Sequence, residues 1–408
     1  MNLLVVGNGF DLAHGLPTRY SDFLEFLTLC IIEWHDWRKN RVWQGEYNPW
    51  ENDARILYDL ARKVKSNQKV VEIFEANKAD IEQAFGKDGK LSNFNDNTWV
   101  RYCLYVYAYK QSFTKEFNWI DIETEILRFI RYIESQKYTG TQVSYLSMSL
   151  PYYEHLDNYT TIQFDVRSIV KKMSHSNTPE ELLKRKIFEN LFCELEQFSE
   201  SLKLYFLFVR KTFCENPKTI FKINTDGCDS VSIDSILSFN YTDTVQRYYA
   251  SAANVNYING NLDDEKIILG VENPSLDKIN DFCNDSVNLF FKNVQRILYN
   301  YGYVYSTWLY ENANSPDRTV LFNGDVINGV NVYIIGHSLA ISDKYILTDI
   351  IMNADRVNIY YYNEQDKQDK ITNLYRLLGD EVFSNHVNHS KVKPSISFLN
   401  QAELMISY

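Results

Sequence analysis

The apolar positions along the chain fall into three stretches. Residues 2–6, NLLVV, are apolar on both faces, which predicts a strand in the middle of a parallel sheet. From about residue 20 to 215 the helical period dominates. In SNTPEELLKRKIF, Thr178 is placed as N-cap, Pro179 at the first helical position and Glu181 as its capping-box partner. Leu182, Leu183, Ile187, Leu191, Phe192, Leu195 and Phe198 then recur at helical spacing, and WIDIETEILRFIRYIE sets Ile122, Ile126, Phe129, Ile130 and Ile133 on one face. The segment YTGTQVSYLSMSLPYYEHLDNYT has no clear period and reads as loop-rich.

Strand-and-helix alternation returns in the third stretch. DSILSF (234–239), NVNYI (254–258), KIILG (266–270), GVNVYIIG (329–336) and RVNIYYY (356–362) are short β-branched or aromatic runs, and SDKYILTDIIMNA and KITNLYRLL read as helices. Such alternation predicts an α/β fold with a doubly wound parallel sheet. One strand cannot bury itself, so residues 2–6 must join the same sheet. The helical middle is then a large insertion after the first strand–helix unit. The expected division is 1–24 for the first strand and glycine loop, 25–231 for a mostly helical insertion, and 232–408 for the remainder of the core.

Composition narrows the function classes. A formal charge of −11 over 408 residues disfavours adhesion to nucleic acid or anionic lipid, and no run is long and apolar enough for a membrane span. The amino terminus has no signal-peptide pattern, and Cys30, Cys103, Cys193, Cys214, Cys228 and Cys283 are too scattered for a C-x-x-C pair. Free thiols in a reducing cytoplasm are expected, with no metal centre; of seven histidines only His386 and His389 lie close. The 30 Tyr and 24 Phe are expected to fill a thick helical core.

The candidate chemistry sits at strand ends. Gly7 and Gly9 follow the first strand, where ligands of open α/β sheets bind. They would let the backbone turn tightly and approach a phosphate. Asn240 ends the run SILSFN, where an amide can hold water and ribose hydroxyls, or merely cap the next turn. Asp121 and Glu123 are two apart on a helix and make no acid–base pair; Asp121 is read as structural, and Glu123 as a residue that could face a cleft. Asp343 is expected to cap the helix beginning near SDKYIL.

Several of these motifs together carry a resemblance. GNGFDLAHGLP places Gly15 of a Gly-Leu-Pro eight residues after Gly7, and this is similar to the sirtuin cofactor motif, with Asp11 at its serine position and Arg19 one residue early. SILSFNYTDT resembles the strand of that superfamily that ends in Asn-x-Asp; Asn240 matches, and Asp243 falls one residue late. IIGHSLAISDK resembles the strand whose glycine-rich end closes over adenosine. GNGFDLAHGLPTRYSDF, WIDIE, FNYTDT and GHSLAISDK, in this order, look like the AbiH family of bacterial phage abortive-infection proteins.

The resemblance implies a sirtuin-like, Rossmann-type core and NAD as ligand or substrate. It implies cofactor contacts from Gly7, Asn8, Gly9, Asp11, Gly15, Asp243, Gly260, Gly336 and Ser338. Asn240, Asn259 and His337 are the implied catalytic positions, with His14 as a further contact candidate. Asn259 stands where the pattern calls for a histidine base, so an NAD hydrolase of this sequence is weakened or inactive if that histidine is needed. Three readings compete: NAD hydrolysis in antiviral defence, nucleotide sensing without turnover, and action on nucleic acid, which the acidic balance disfavours. The implied partners are a small-molecule nucleotide, an unidentified phage trigger and a possible second copy of the chain.

Overall fold

The computed structural model describes residues 1–34, 60–113, 121–135, 145–149, 161–165, 180–214, 220–224, 231–249, 253–272, 285–314, 319–320, 326–327, 329–387 and 394–406. The chain divides into two compact units. Unit 1 comprises Met1–Thr18, Val209–Ile268 and Gln295–Tyr408; unit 2 comprises Arg19–Phe208 and Leu269–Val294.

Unit 1 is built on a six-stranded sheet of β1 (Asn2–Val6), β2 (Ser235–Ser238), β3 (Asn254–Tyr257), β4 (Asn331–Ile335), β5 (Arg356–Tyr361) and β6 (Ser395–Asn400), in the order β6-β5-β4-β1-β2-β3. Every neighbouring pair is parallel. The order reverses at β1, which pairs with β4 on one side and β2 on the other; Val5 lies opposite both Ile334 and Leu237.

The both-faces-apolar reading of NLLVV has a direct physical counterpart. Leu3 and Val5 pack on one face with Val332, Ile334, Val357 and Ile359, while Leu4 and Val6 pack on the other with Ile236, Ile335 and Tyr360. Helices α1 (Asn8–Ala13), α2 (Thr244–Tyr248), α3 (Lys292–Leu298, in this unit from Gln295), α4 (Val304–Ala313), α5 (Lys344–Met352) and α6 (Glu364–Leu378) accompany the strands. Leu309 of α4, Ile346 and Ile350 of α5 and Leu374 of α6 cover the first face; Phe10 of α1 and Val245 of α2 cover the second. All four apolar side chains of β1 are fully buried, each contributing about 1.5–3 kcal/mol of hydrophobic stabilisation.

Two expectations from the pattern are corrected, and one strand is added. Residues 266–270 form no strand, although Ile267, Ile268 and Leu269 are buried. Tyr301 Oη donates to the Lys266 carbonyl, Tyr241 Oη to the Ile268 carbonyl at 2.7 Å, and the Ile268 amide donates to the Asn259 carbonyl. Side chains and one strand-end carbonyl thus satisfy a backbone that the pattern assigned to a sheet. The segment read as loop-rich contains a strand, Tyr145–Ser149, which pairs antiparallel with Thr161–Asp165 immediately after it. The sheet also extends to β6, an edge strand in which only Ile396 is buried.

Unit 2 is mainly helical, with helices Tyr20–Trp34, Gln68–Ala76, Lys78–Phe85, Thr98–Phe113 and Ile122–Ser135 and most of Glu180–Phe213. Thr178 and Pro179 lie outside the described residues; in the helix itself Leu183, Ile187, Leu191 and Phe198 are buried, whereas Leu182 is exposed. The aromatic content goes into this core: Phe26 contacts the rings of Phe74, Phe85, Tyr205 and Phe208, and Phe23 those of Phe198 and Tyr205. Asp121 Oδ1 accepts from the Glu123 and Thr124 amides, which makes it the cap of Ile122–Ser135. Glu123 pairs with the Lys292 ammonium at 2.7 Å. No helix among the described residues is long and apolar enough to cross a membrane.

Candidate functional site at the carboxyl ends of the strands

The two glycines after β1 serve close backbone approach. The Gly7 amide donates to the Ile335 carbonyl at 3.3 Å and the Gly9 amide to the Gly336 carbonyl at 2.7 Å, so both are engaged by the end of β4. A Cβ on Gly7 would meet His337 Cα at 2.7 Å, and one on Gly9 would meet Gly336 Cα at 2.8 Å. Gly336 has φ +69°, and its Cβ would lie 2.0 Å from the Phe10 amide nitrogen. The Gly-x-Gly therefore lets two strand ends meet main chain to main chain. Gly9→Ala is expected to lower stability by about 1–3 kcal/mol, as overpacking does, read from the urea midpoint.

Asn240 joins the third strand end to this contact. Its Nδ2 donates to the Gly7 carbonyl at 3.0 Å, and its amide donates to Ser238 Oγ at 3.2 Å. Beneath it lies Asp11, only 1% exposed. Thr242 Oγ1 donates to one carboxyl oxygen of Asp11; the other, Oδ1, is buried with no hydrogen-bond partner. Burial pushes the Asp11 carboxyl up to about 7, against the opposing pull of the Thr242, Thr244 and Asn240 side chains. A carboxyl balanced between acid and base at neutral pH, in the helix that follows β1 and near a fixed amide, can hold or accept a proton.

His337 follows β4 and is likewise buried. Its Nδ1 accepts from the Leu339 amide at 2.9 Å, which assigns the proton of the neutral ring to Nε2, and Nε2 faces Asp343 Oδ2 at 3.5 Å. Leu339 has φ +57°, left-handed strain of roughly 1–3 kcal/mol held by the turn that aims its amide at the imidazole. Asp343 stands at the N-cap position of α5, as expected, but its side chain makes no cap hydrogen bond and faces His337 instead.

A family model described as bacteriophage abortive infection AbiH matches residues 3–363. The chain belongs to this family. No curated protein and no solved structure matches it.

The remaining positions of this AbiH chain are distributed around the same strand ends. Asn8 Oδ1 accepts from Thr18 Oγ1 at 2.6 Å, tying the glycine turn to the segment that follows α1. Gly15, at φ +77°, ends α1, and Ser338 is exposed, its carbonyl accepting from Asn373. Asp243 is turned toward cations, with Arg247 at 2.7 Å and Arg210 at 3.6 Å. His14 is packed among Phe10, Phe221, Tyr248 and Tyr249, with Nε2 at 2.7 Å from Tyr249 Oη and its Nδ1 against the Phe10 carbonyl. Burial lowers its affinity for a second proton.

Asn259 and Gly260 stand after β3. The Asn259 Nδ2 donates to the Phe239 carbonyl at 3.2 Å, and its Oδ1 accepts from Arg296 Nη2 at 3.0 Å, so both ends of the amide are in use. Gly260 turns at φ +78°, where a Cβ would meet Tyr301 Oη at 2.9 Å. Arg296 carries no signal in the sequence: in KNVQRILYN an arginine reads as the solvated face of a helix, yet its side chain is fully buried. No group of three or more candidate metal ligands occurs among the described residues.

Proposed function

We propose that this abortive-infection protein binds NAD across the carboxyl ends of β1, β2 and β4 and hydrolyses its nicotinamide–ribose bond. The sheet order, counted along the chain as 3-2-1-4-5-6, favours this reading, because dinucleotides lie outside strand ends where such an order reverses. The sirtuin-like placement of the core belongs to the same proposal. The observation that carries it is the buried Asp11 carboxyl, one oxygen of which has no hydrogen-bond partner, near the Asn240 amide that the Gly7 carbonyl fixes in place.

The chemistry follows from those groups. The C1′–N bond breaks, and its electron pair neutralises the pyridinium as nicotinamide leaves. A water adds to the oxocarbenium-like C1′ and gives its proton to Asp11, yielding ADP-ribose. Asn240 holds the water and a ribose hydroxyl, so orientation supplies much of the rate. The ionised carboxylate also opposes the developing positive charge.

The test is release of nicotinamide and ADP-ribose from NAD by the purified chain, resolved by chromatography. Asn240→Ala is expected to reduce it by about 100-fold or more while remaining folded. A second reading, nucleotide sensing without turnover, is favoured by Asn259, whose engaged amide stands where the resemblance calls for a base. ADP-ribose binding with no nicotinamide released would select that reading and overturn hydrolysis.

A further inference from the structure

We infer that Arg296 is the receiving group of an oxyanion subsite beside the carboxyl end of β3, taking a phosphate of a phosphorylated ligand. Three cations are buried among the described residues: Lys292, Arg296 and Lys370. Lys292 has Glu123 at 2.7 Å and Lys370 has Asp366 at 2.6 Å. Arg296, fully buried, has neither kind of match. Its Nε donates to the Ile258 carbonyl at 3.1 Å and its Nη2 to Asn259 Oδ1 at 3.0 Å, both neutral acceptors. Its Nη1 is buried with no partner.

A guanidinium keeps its charge in proteins, and a buried charge with no counter-ion is among the most unfavourable arrangements a fold can hold. The same chain neutralises its other two buried cations with carboxylates. No described carboxylate meets Arg296, so an anion brought by a ligand is the match we assign to its unpartnered Nη1. The planar fork suits tetrahedral oxyanions, with Nη1 the free donor, and Asn259 and the Ile258 carbonyl fix the plane of the fork. This rests on the nucleotide reading and extends it from β1, β2 and β4 to the neighbouring end of β3, where Arg296 would recognise a phosphate. It also gives Asn259 a positioning role through Arg296.

The experiment is a thermal-shift and calorimetric titration of the whole chain with inorganic pyrophosphate and with ADP-ribose, against sodium chloride at matched ionic strength. Saturable stabilisation by pyrophosphate is expected for the parent and at least a tenfold weaker response for Arg296→Gln, which keeps a donor but removes the charge. Asn259→Asp keeps Arg296 and places a carboxylate beside Nη2, so it decides the matter if the first variant does not fold; its response is also expected to fall at least tenfold. Loss of the ADP-ribose response alongside that to pyrophosphate identifies the ligand as a nucleotide phosphate, and loss of the pyrophosphate response alone identifies a free anion. A parent indifferent to pyrophosphate, or a folded variant that responds as the parent does, overturns the subsite. Neither arm requires turnover, so its failure is distinct from failure of NAD hydrolysis.

Discussion

Replacing Asp11 by asparagine is expected to shift the pH dependence of stability by about 4 kcal/mol between pH 4 and pH 8, in the variant's favour at the alkaline end. In the unfolded chain this carboxyl ionises near 3.8; in the folded protein burial raises it to about 7. Between those values the folded state holds a proton that the unfolded chain has released. Each upward step in pH therefore favours unfolding, and the parent loses stability from pH 4 to 7 and levels off above.

Asparagine cannot ionise, and whatever its amide costs in place of the buried carboxyl is the same at every pH. Asp22 and Glu25, two other buried carboxyls raised by burial, tilt both proteins alike and cancel in the difference. Urea midpoints of the two proteins measured from pH 4 to 8 give the result. Parallel curves would show that Asp11 does not titrate in this window and would remove it as a base.

What could be read from the chain was what neighbouring residues decide. NLLVV is apolar at every position because both faces of β1 are covered, and Ile122, Ile126, Phe129, Ile130 and Ile133 fall on the buried side of one helix. Asp121 caps that helix through amides two and three residues away. The family motifs were legible for the same reason.

What escaped depends on partners far along the chain. KIILG has the composition of a strand, but its carbonyls are taken by Tyr241 and Tyr301. The purpose of Gly7 and Gly9 becomes visible only when residues 336 and 337 are brought against them. Arg296 has no local signal, because burial of a helical arginine is decided by what packs around it. Asp11 reads in the sequence only as a cofactor contact, since neither its burial nor its raised pKa is written in GNGFDLAHG. Residues 269–294, which lie between runs read as core, belong to unit 2.

The same carboxyl sets the second large effect. NAD turnover by the parent is expected to rise with unit slope as pH approaches 7 and to level off above, because the base must be ionised to accept the proton of water. Asp11→Asn is expected to lose roughly 10²–10⁴-fold in rate at every pH while binding ADP-ribose within a few fold of the parent. Single-turnover rates from pH 5.5 to 8.5, with ADP-ribose affinity measured alongside, separate chemistry from binding. The two Asp11 predictions have opposite signs: the variant that gains relative stability at pH 8 is the one that loses the reaction. A merely structural aspartate would not behave so, since its removal would lower stability and leave any residual rate with the parent's pH profile. A buried carboxyl kept at a stability cost is what a proton acceptor at neutral pH requires. A flat rate profile across this range, or an Asp11→Asn rate within tenfold of the parent, would leave the strand-end cluster without its base and return Asn240 to a purely structural tie between β1 and β2.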